Sequence, residues 1–356
     1  MSKESIQILM DCERMKYAHT GLYHYCKQLG AALVSPKLSL KDHITFYTRE
    51  REVGIFGNDI KYLKQHSLHK FCLPNIRKYD IWHATYQGTM YYPYRRKIKV
   101  LLTIHDLNFL HEEDRPLIKK KRELQKLQNK IDRADRIVAI SSFVKEDIEN
   151  NLRLQHKKVD VIYNGCNINL NILPEAPNLK PETDFLFTIG TITNKKNFHV
   201  LPALLHGNQM QLVVAGITQN EEYRTAIIAE AQKWGVQDRV HFANAISEPE
   251  KYWYLQHCKA FVFPSLMEGF GLPVIEAMAF GKPVFLSNKT SLPEIGGDQA
   301  FYFESFDKDD MQSVLQNGLT MIEKGYVSAE SIKARAAMFS WDNAAKSYSD
   351  IYHQMI

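Results

Sequence analysis

Cysteine is sparse and unpatterned in this chain. Its five residues, Cys12, Cys26, Cys72, Cys166 and Cys258, are odd in number and scattered, and no Cys-x-x-Cys or His-x-x-x-His occurs. That excludes a disulfide-stapled scaffold and a zinc site of ordinary spacing, and it fits reduced thiols in the cytosol. No apolar run approaches the roughly 20 residues that cross a bilayer as a helix. Met1-Ser-Lys-Glu leads directly into a short strand pattern, without the basic and apolar regions of a signal peptide. A cytoplasmic location is therefore expected. No Gly-x-Gly-x-x-Gly follows the first strand, which argues against a nicotinamide dehydrogenase. No short-period repeat or low-complexity segment is found.

What is present suits two globular domains. The 356 residues exceed a typical single core, and a 45% apolar, 24% charged composition is ordinary. The charge is unevenly divided. Residues 1–167 hold 30 Lys+Arg against 19 Asp+Glu, a net of +11, and the remainder holds 15 against 21, a net of −6. A basic half suits an anionic acceptor or surface, and a solvated charged face is the plainer reading.

Short apolar strands alternate with helical patterns throughout, the signature of a parallel, doubly wound α/β sheet. The first series runs Ile6–Met10, Ile44–Tyr47, Ile81–Ala84, Val100–Ile104, Arg136–Ile140 and Val159–Tyr163, with helices at 21–33, 115–134 and 142–152. Residues 166–183, with Pro174, Pro177 and Pro181 and little periodicity, read as the linker. The pattern then restarts with Phe185–Ile189, Gln211–Ala215, Arg239–Phe242, Phe261–Phe263, Pro283–Leu286 and Ala300–Phe303. Two Rossmann-like domains follow, with ligands expected outside the carboxyl ends of the strands.

The segment that carries most chemistry is Glu268-Gly-Phe-Gly-Leu-Pro-Val-Ile-Glu276. Gly269, Phe270 and Gly271 form a turn between a strand and a helix that starts near Leu272. Such a turn presents backbone amides and the positive end of a helix dipole to an anion. Glu268 and Glu276 flank it and suit sugar or ribose hydroxyls, which need acceptors. This Glu-x7-Glu segment resembles the donor-binding motif of retaining glycosyltransferases of family 4, which have the GT-B fold. The resemblance implies two doubly wound domains facing across a cleft. Residues 1–167 would be the acceptor domain, 168–340 the nucleotide-sugar donor domain, and a helix over 341–356 would cross back to the first. Phe339-Ser340-Trp341 resembles the start of that helix, with Ser340 as its N-cap.

The same resemblance assigns further residues. Gly190-Thr191-Ile192-Thr193-Asn194-Lys195-Lys196-Asn197 is similar to an element whose Lys reaches the donor phosphates. Lys196 takes that role, and Lys195 stands where the family has Arg, without the planar fork that grips phosphate bidentately. Thr191 stands where some members place a second phosphate-binding Arg. Thr103-Ile-His105-Asp106-Leu107 resembles an element whose His faces the donor sugar; a His there can donate to a sugar hydroxyl or be tied to a local backbone group. Asp106 is expected to fix the turn. Thr20-Gly21 resembles the family's first loop, where a missing Cβ lets backbone approach the ligand, although a simple helix start explains it nearly as well. Asp11 to Arg14 are candidates for the acceptor side. Ser291-Leu-Pro-Glu294 resembles a loop near the donor, and Glu294 also fits a helix start.

Glu268, His105 and Lys196 are thus the expected catalytic residues. Glu276, Lys195, Thr191, Gly269, Phe270, Gly271, Leu272 and Gly21 are the expected donor-binding residues. No metal and no cofactor is expected: Asp307-Lys-Asp309-Asp310 contains Asp-x-Asp but reads better as a helix start, where the dipole favours acidic residues. Arg115 to Arg136 contains nine basic residues. Leu117, Ile118, Leu124, Leu127 and Ile131 recur there at helical spacing. This amphipathic helix either packs on its domain as a solvated face or rests peripherally on anionic lipid. No stacking or groove-reading motif accompanies the charge, so nucleic acid is not an expected partner. The expected reaction moves a hexosyl unit from a nucleoside diphosphate sugar, GDP-mannose or a UDP-sugar, to a saccharide or lipid-linked acceptor in bacterial surface polysaccharide synthesis. A nucleotide-sugar epimerase of the same fold and a non-catalytic two-lobed sugar-binding protein remain alternatives.

Overall fold

The computed structural model describes residues 5–17, 20–38, 42–95, 97–112, 115–169 and 171–356. Met1 to Glu4, read above for a signal peptide, lie outside them. Two units divide the chain, one of Met1–Gly165 with Ser340–Ile356 and one of Cys166–Phe339.

Unit 1 is built on β1 (Gln7–Asp11), β2 (His43–Thr48), β3 (Lys61–Lys64), β4 (Ile81–Ala84), β5 (Lys99–Ile104), β6 (Arg136–Ala139) and β7 (Val159–Val161). They form one parallel sheet in the order β3-β2-β1-β4-β5-β6-β7. Ile8, Leu9 and Met10 of β1 are all fully buried, as expected of a central strand covered on both faces. The edge strand β3 escapes the sequence pattern because Lys61-Tyr-Leu-Lys64 is charged at both ends. Lysines on an edge discourage pairing with a second chain. Helices α1 (Gly21–Leu33), α2 (Leu117–Arg133) and α3 (Ser142–Asn151) connect the strands. Thr20 caps α1 by accepting from the Tyr23 amide, and Ser141 caps α3 by accepting from Val144.

Unit 2 repeats the plan. Strands β8 (Phe185–Ile189), β9 (Gln211–Ala215), β10 (Val240–Asn244), β11 (Ala260–Phe263), β12 (Val284–Ser287) and β13 (Phe301–Phe303) form a parallel sheet in the order β10-β9-β8-β11-β12-β13. Its helices are α4 (Glu221–Lys233), α5 (Glu248–His257), α6 (Leu272–Ala279), α7 (Leu292–Gly296), α8 (Lys308–Glu323) and α9 (Ala329–Ala337). Phe198–Leu205, whose apolar spacing suggests a helix, is a run of 3-10 turns. Pro202 has no N–H to donate, and Asn197 enters the segment in the left-handed region at φ 57°.

The last helix, α10 (Trp341–Gln354), belongs to unit 1. Ser340 caps it by accepting from the Asp342 and Asn343 amides, as the sequence predicts. Trp341, Ala345, Tyr348 and Tyr352 enter one core with Met10, Tyr25 and Leu29. Burying each large apolar side chain is worth roughly 1.5–3 kcal/mol. Two polar contacts fix the register: Tyr25 and Tyr348 hydroxyls lie 2.7 Å apart, and His83 Nδ1 lies 2.8 Å from the Tyr352 hydroxyl. No helix among the described residues is long and apolar enough to cross a membrane.

Candidate active site

In both sheets the strand order reverses once. In unit 2 the reversal lies between β8 and β11, the two strands that carry the segments singled out above. Loops leaving such neighbours diverge to opposite faces, and open α/β sheets bind ligands there. Here the two loops are tied together. The Leu266 amide donates to the Lys195 carbonyl at 2.8 Å, and the Ser265 hydroxyl lies 3.2 Å from the same oxygen. Glycine lets the first loop fold tightly: a Cβ on Gly190 would stand 3.3 Å from Lys196 Cε. The Lys196 stem therefore lies close over backbone, with its ammonium 4.8 Å from the centre of the Phe263 ring.

The Lys196 ammonium reaches Glu268 Oε1 at 2.5 Å, and both side chains are largely covered, 12% and 14% exposed. Ser265 donates to the same Oε1 at 2.6 Å. The Glu268 amide donates to Thr290 Oγ1 at 3.1 Å, and Ser291 Oγ lies 3.1 Å from the Glu268 carbonyl and 3.0 Å from that of Phe270. Two of the three expected catalytic groups are thus in direct contact. After Glu268 the chain turns through Gly269 and Phe270 to Gly271, the N-cap of α6 at φ 106°. The positive end of the α6 dipole therefore lies beside the Lys196–Glu268 pair. Lys195 is exposed and Thr191 half-buried on the same loop.

Glu276 stands in α6, just over one turn from its start, and is buried. Its Oε2 lies 3.0 Å from Lys251 Nζ, with the two side chains 8% and 9% exposed. Lys251 also meets Glu248 Oε1 at 2.9 Å. Burial works against the Lys251 charge, but Glu276 and then Glu248 outweigh it and hold the ammonium above its ordinary range. Sequence reasoning missed Lys251, Ser265 and Thr290 as site residues. The one usable signal was Lys251 beside the core-facing Tyr252, Tyr254 and Leu255 of α5.

In unit 1 the order reverses between β1 and β4. His105, one residue beyond β5, is 7% exposed, and its Nε2 lies 2.8 Å from the Thr85 carbonyl. A carbonyl only accepts, so Nε2 carries the proton. Burial lowers the imidazole pKa to about 4, against that hydrogen bond, so the ring is neutral at pH 7. Of the two readings of His105, this geometry is the tie to a local backbone group: Nε2–H is occupied by the Thr85 carbonyl, and Nδ1 of this tautomer accepts. Asp106 fixes the turn by accepting from the Asn108 amide at 3.1 Å. Gly21 opens α1 with a Thr20 cap, and a Cβ there would meet no atom within 4 Å, so packing does not require glycine. Asp11 is buried at the end of β1, where Oδ2 accepts from Thr89 Oγ1 at 2.6 Å. Glu13 pairs with Lys16, and the Arg14 guanidinium lies 4.5 Å from the centre of the Tyr86 ring.

Asp307 to Asp310 form the start of α8, with Asp309 and Asp310 in its first turn. Glu294 lies in the first turn of α7, where its carbonyl accepts from Arg335. Among the described residues no group of three His, Cys, Asp or Glu side chains is arranged to hold a metal ion.

Two doubly wound parallel sheets, the second with paired charges at its reversal, have the architecture of the GT-B class. Residues 41–170 match the family model "Glycosyltransferase Family 4", and residues 171–321 match "Glycosyl transferases group 1". The serotype-specific mannosyltransferase WbdA of Escherichia coli is 34% identical over 172 residues, covering 46% of this chain and 21% of that protein. The chain thus matches about a fifth of that relative's length. The O-antigen chain mannosyltransferase B of Escherichia coli is 23% identical and covers 98% of this chain and 99% of its own. Among solved structures, a sucrose-phosphate synthase from Thermosynechococcus elongatus superposes with a TM-score of 0.75 at 19% identity, covering 98% of each chain. HepE of Anabaena, in complex with UDP and glucose, gives 0.73 at 16% identity, covering 98% of this chain and 99% of that one. At these identities the likeness is one of fold. The chain belongs to the GT-B glycosyltransferases of the family 4 type.

Proposed function

We propose that the protein is a metal-independent, retaining glycosyltransferase. It moves a hexosyl unit from a nucleoside diphosphate sugar to a saccharide or lipid-linked acceptor, in the synthesis of a bacterial surface polysaccharide such as O-antigen or capsule. The observation that carries the reading is the ion pair at the unit 2 reversal, Lys196 on Glu268 beside the N-terminus of α6. The two mannosyltransferase relatives favour GDP-mannose as donor. The HepE complex keeps a UDP-sugar in view.

In this reading Lys196, helped by Lys195 and Thr191, receives the diphosphate. As the bond between the anomeric carbon and the phosphate oxygen breaks, its electron pair leaves with the diphosphate. The fixed positive charge of Lys196 and the α6 dipole stabilise that developing charge, work a divalent cation does elsewhere. An ammonium has three donors, so Lys196 can meet the diphosphate while keeping Glu268. Glu268 accepts from sugar hydroxyls, Glu276 from the ribose hydroxyls, and backbone from Gly269 through Phe270 and Gly271 to Leu272 lines the sugar and phosphate. In unit 1, His105 accepts from a hydroxyl through Nδ1, Gly21 allows close approach of a ligand, and the acceptor binds this basic unit. Retention follows if the acceptor oxygen bonds the anomeric carbon on the face the diphosphate leaves, the acceptor's hydroxyl proton passing to the departing phosphate oxygen. The enzyme would work in the cytoplasm, with α2 meeting anionic lipid peripherally.

The test is a panel of GDP-mannose, UDP-glucose, UDP-galactose and UDP-N-acetylglucosamine, each incubated with the enzyme and excess EDTA. Released nucleoside diphosphate is measured, and the anomer of the released sugar is followed by NMR. One donor should be cleaved with its anomeric configuration kept. Release that needs added manganese or magnesium, an inverted anomer, an epimerised sugar, or no release from any donor would each overturn a stated part of the reading.

A further inference from the structure

Lys251 is placed where an apolar residue would serve the fold. It lies one turn into α5, and Tyr252, Tyr254 and Leu255 of the same helix are all core residues. Yet its ammonium is buried against one buried carboxylate, Glu276, and one half-exposed carboxylate, Glu248. A buried ion pair is a poor device for stability, because well-packed apolar side chains of the same volume do as well or better. Holding a charged group in one orientation is a better reason to keep it. Glu276 is the carboxylate read above as the acceptor for the donor ribose.

We propose that Lys251 is a positioning residue for Glu276 and thereby sets the enzyme's preference for ribonucleotide over deoxyribonucleotide donors. The contact engages Oε2 only. No described residue donates to Oε1, so that oxygen remains the acceptor for a ribose hydroxyl. A carboxylate free to rotate on a helix would spread its two oxygens over several orientations; one anchored oxygen fixes the line of the other. Glu248, at side-chain exposure 44%, supplies a second anchor at 2.9 Å that keeps the lysine from following a ligand outward. The wall behind the pair is also fixed. Cys166, the first residue of unit 2, donates through Sγ to the Ile275 carbonyl at 3.7 Å. The Asn169 amide donates to the Tyr252 hydroxyl at 2.8 Å. The carboxylate and its lysine are thereby held from α5, α6 and the start of the unit.

The inference rests on the ribose reading of Glu276, and the experiment separates the two. Calorimetric titrations compare GDP with 2′-deoxy-GDP, and UDP with 2′-deoxy-UDP, against wild type, Lys251→Met, Lys251→Arg and Glu276→Ala. Wild type should prefer the ribonucleotide of its own base. A hydrogen bond to a charged group is worth about 1.5–3 kcal/mol, so the preference should be roughly tenfold or more. Lys251→Met keeps the volume and should lose most of that preference, with deoxynucleotide affinity nearly unchanged. Lys251→Arg keeps the charge and should recover part of it, and it also stands in if the methionine variant does not fold. If Glu276→Ala discriminates as wild type does, or wild type shows no preference, the ribose reading fails and the proposal with it. If Glu276→Ala loses the preference while Lys251→Met and Lys251→Arg keep it, the lysine is structural and only the present proposal falls.

Discussion

His83 shows how a single residue in this protein couples charge to folding. It is fully buried in β4, with Nδ1 2.8 Å from the Tyr352 hydroxyl and Nε2 3.0 Å from Thr103 Oγ1. Burial, and then the neighbouring His105, lower its pKa to about 3. An unfolded histidine titrates near 6.5, so below that pH the unfolded chain takes up a proton the folded one refuses. The stability His83 contributes is therefore present above about 6.5 and is lost as pH falls toward the folded value, by about 2 kcal/mol at pH 5. Asp11 works in the opposite sense. Burial raises its carboxyl to about 7, against the hydrogen bonds from Thr89 and the Glu13 amide, so its contribution falls as pH rises from the unfolded carboxylate range to neutrality. The two effects mask each other in wild type, and a variant is needed to see either. His83→Gln should lose more stability at pH 7 than at pH 5, the two losses differing by about 2 kcal/mol. Opening free energies of the β4 and β5 amides from hydrogen exchange would show this. Equal losses at the two pH values would mean that His83 is not neutral by burial. Nothing in Ile81-Trp-His-Ala84 announced this residue, because an alternating strand pattern does not say which side chain meets the returning α10.

At the scale of elements, turn chemistry was legible and the finer helix geometry was not. Thr20 and Ser340 mark helix starts that the structure confirms. Phe198–Leu205 has apolar spacing that looks helical, but Pro202 and the left-handed Asn197 favour 3-10 turns. The start of α6 is the most constrained of these elements. Gly271 adopts φ 106°, and a Cβ there would stand 2.9 Å from Leu292 Cδ2 on α7. Gly271→Ala strains the backbone whatever the space, and the Leu292 side chain must also give way. Backbone strain of this kind costs about 1–3 kcal/mol. The variant should melt at a lower temperature. It should also bind nucleoside diphosphate roughly tenfold more weakly, because about 1.4 kcal/mol of loop reorganisation is a factor of ten. Calorimetric titration beside a thermal melt would check both. A lowered melting temperature with unchanged affinity would make the glycine a requirement of folding and take the Gly269–Leu272 turn out of the donor site.

For the molecule as a whole, alternating elements disclosed two α/β units, and a short segment around Glu268 disclosed the family. The order of the strands, and hence the fact that Lys196 and Glu268 meet at a reversal, was beyond reach because pairing is non-local. Lys251 was hidden for the same reason, since its partner Glu276 lies 25 positions away. The charge division, +11 over residues 1–167 and −6 over the rest, was legible at once, and the structure now says where part of it sits. On α2, Leu127 and Ile131 are buried as the helical spacing predicts, but Leu117 and Ile118 are each 74% exposed. Lys119, Lys121 and Arg122 are exposed on the same two turns, while Lys120 donates to the Leu110 carbonyl at 2.8 Å. Exposed apolar side chains beside exposed cations are what an anionic lipid surface binds. Lys119→Gln, Lys121→Gln and Arg122→Gln together should weaken binding to phosphatidylserine vesicles by up to about 1 kcal/mol per charge, and added salt should erase the difference. Leu117→Ser with Ile118→Ser should weaken binding at high salt as well, because apolar insertion is not screened. Vesicle sedimentation at two salt concentrations reads both effects. If the wild-type protein stays in the supernatant with anionic vesicles at low salt, the excess positive charge of unit 1 serves its acceptor or its solubility, and α2 is a solvated face.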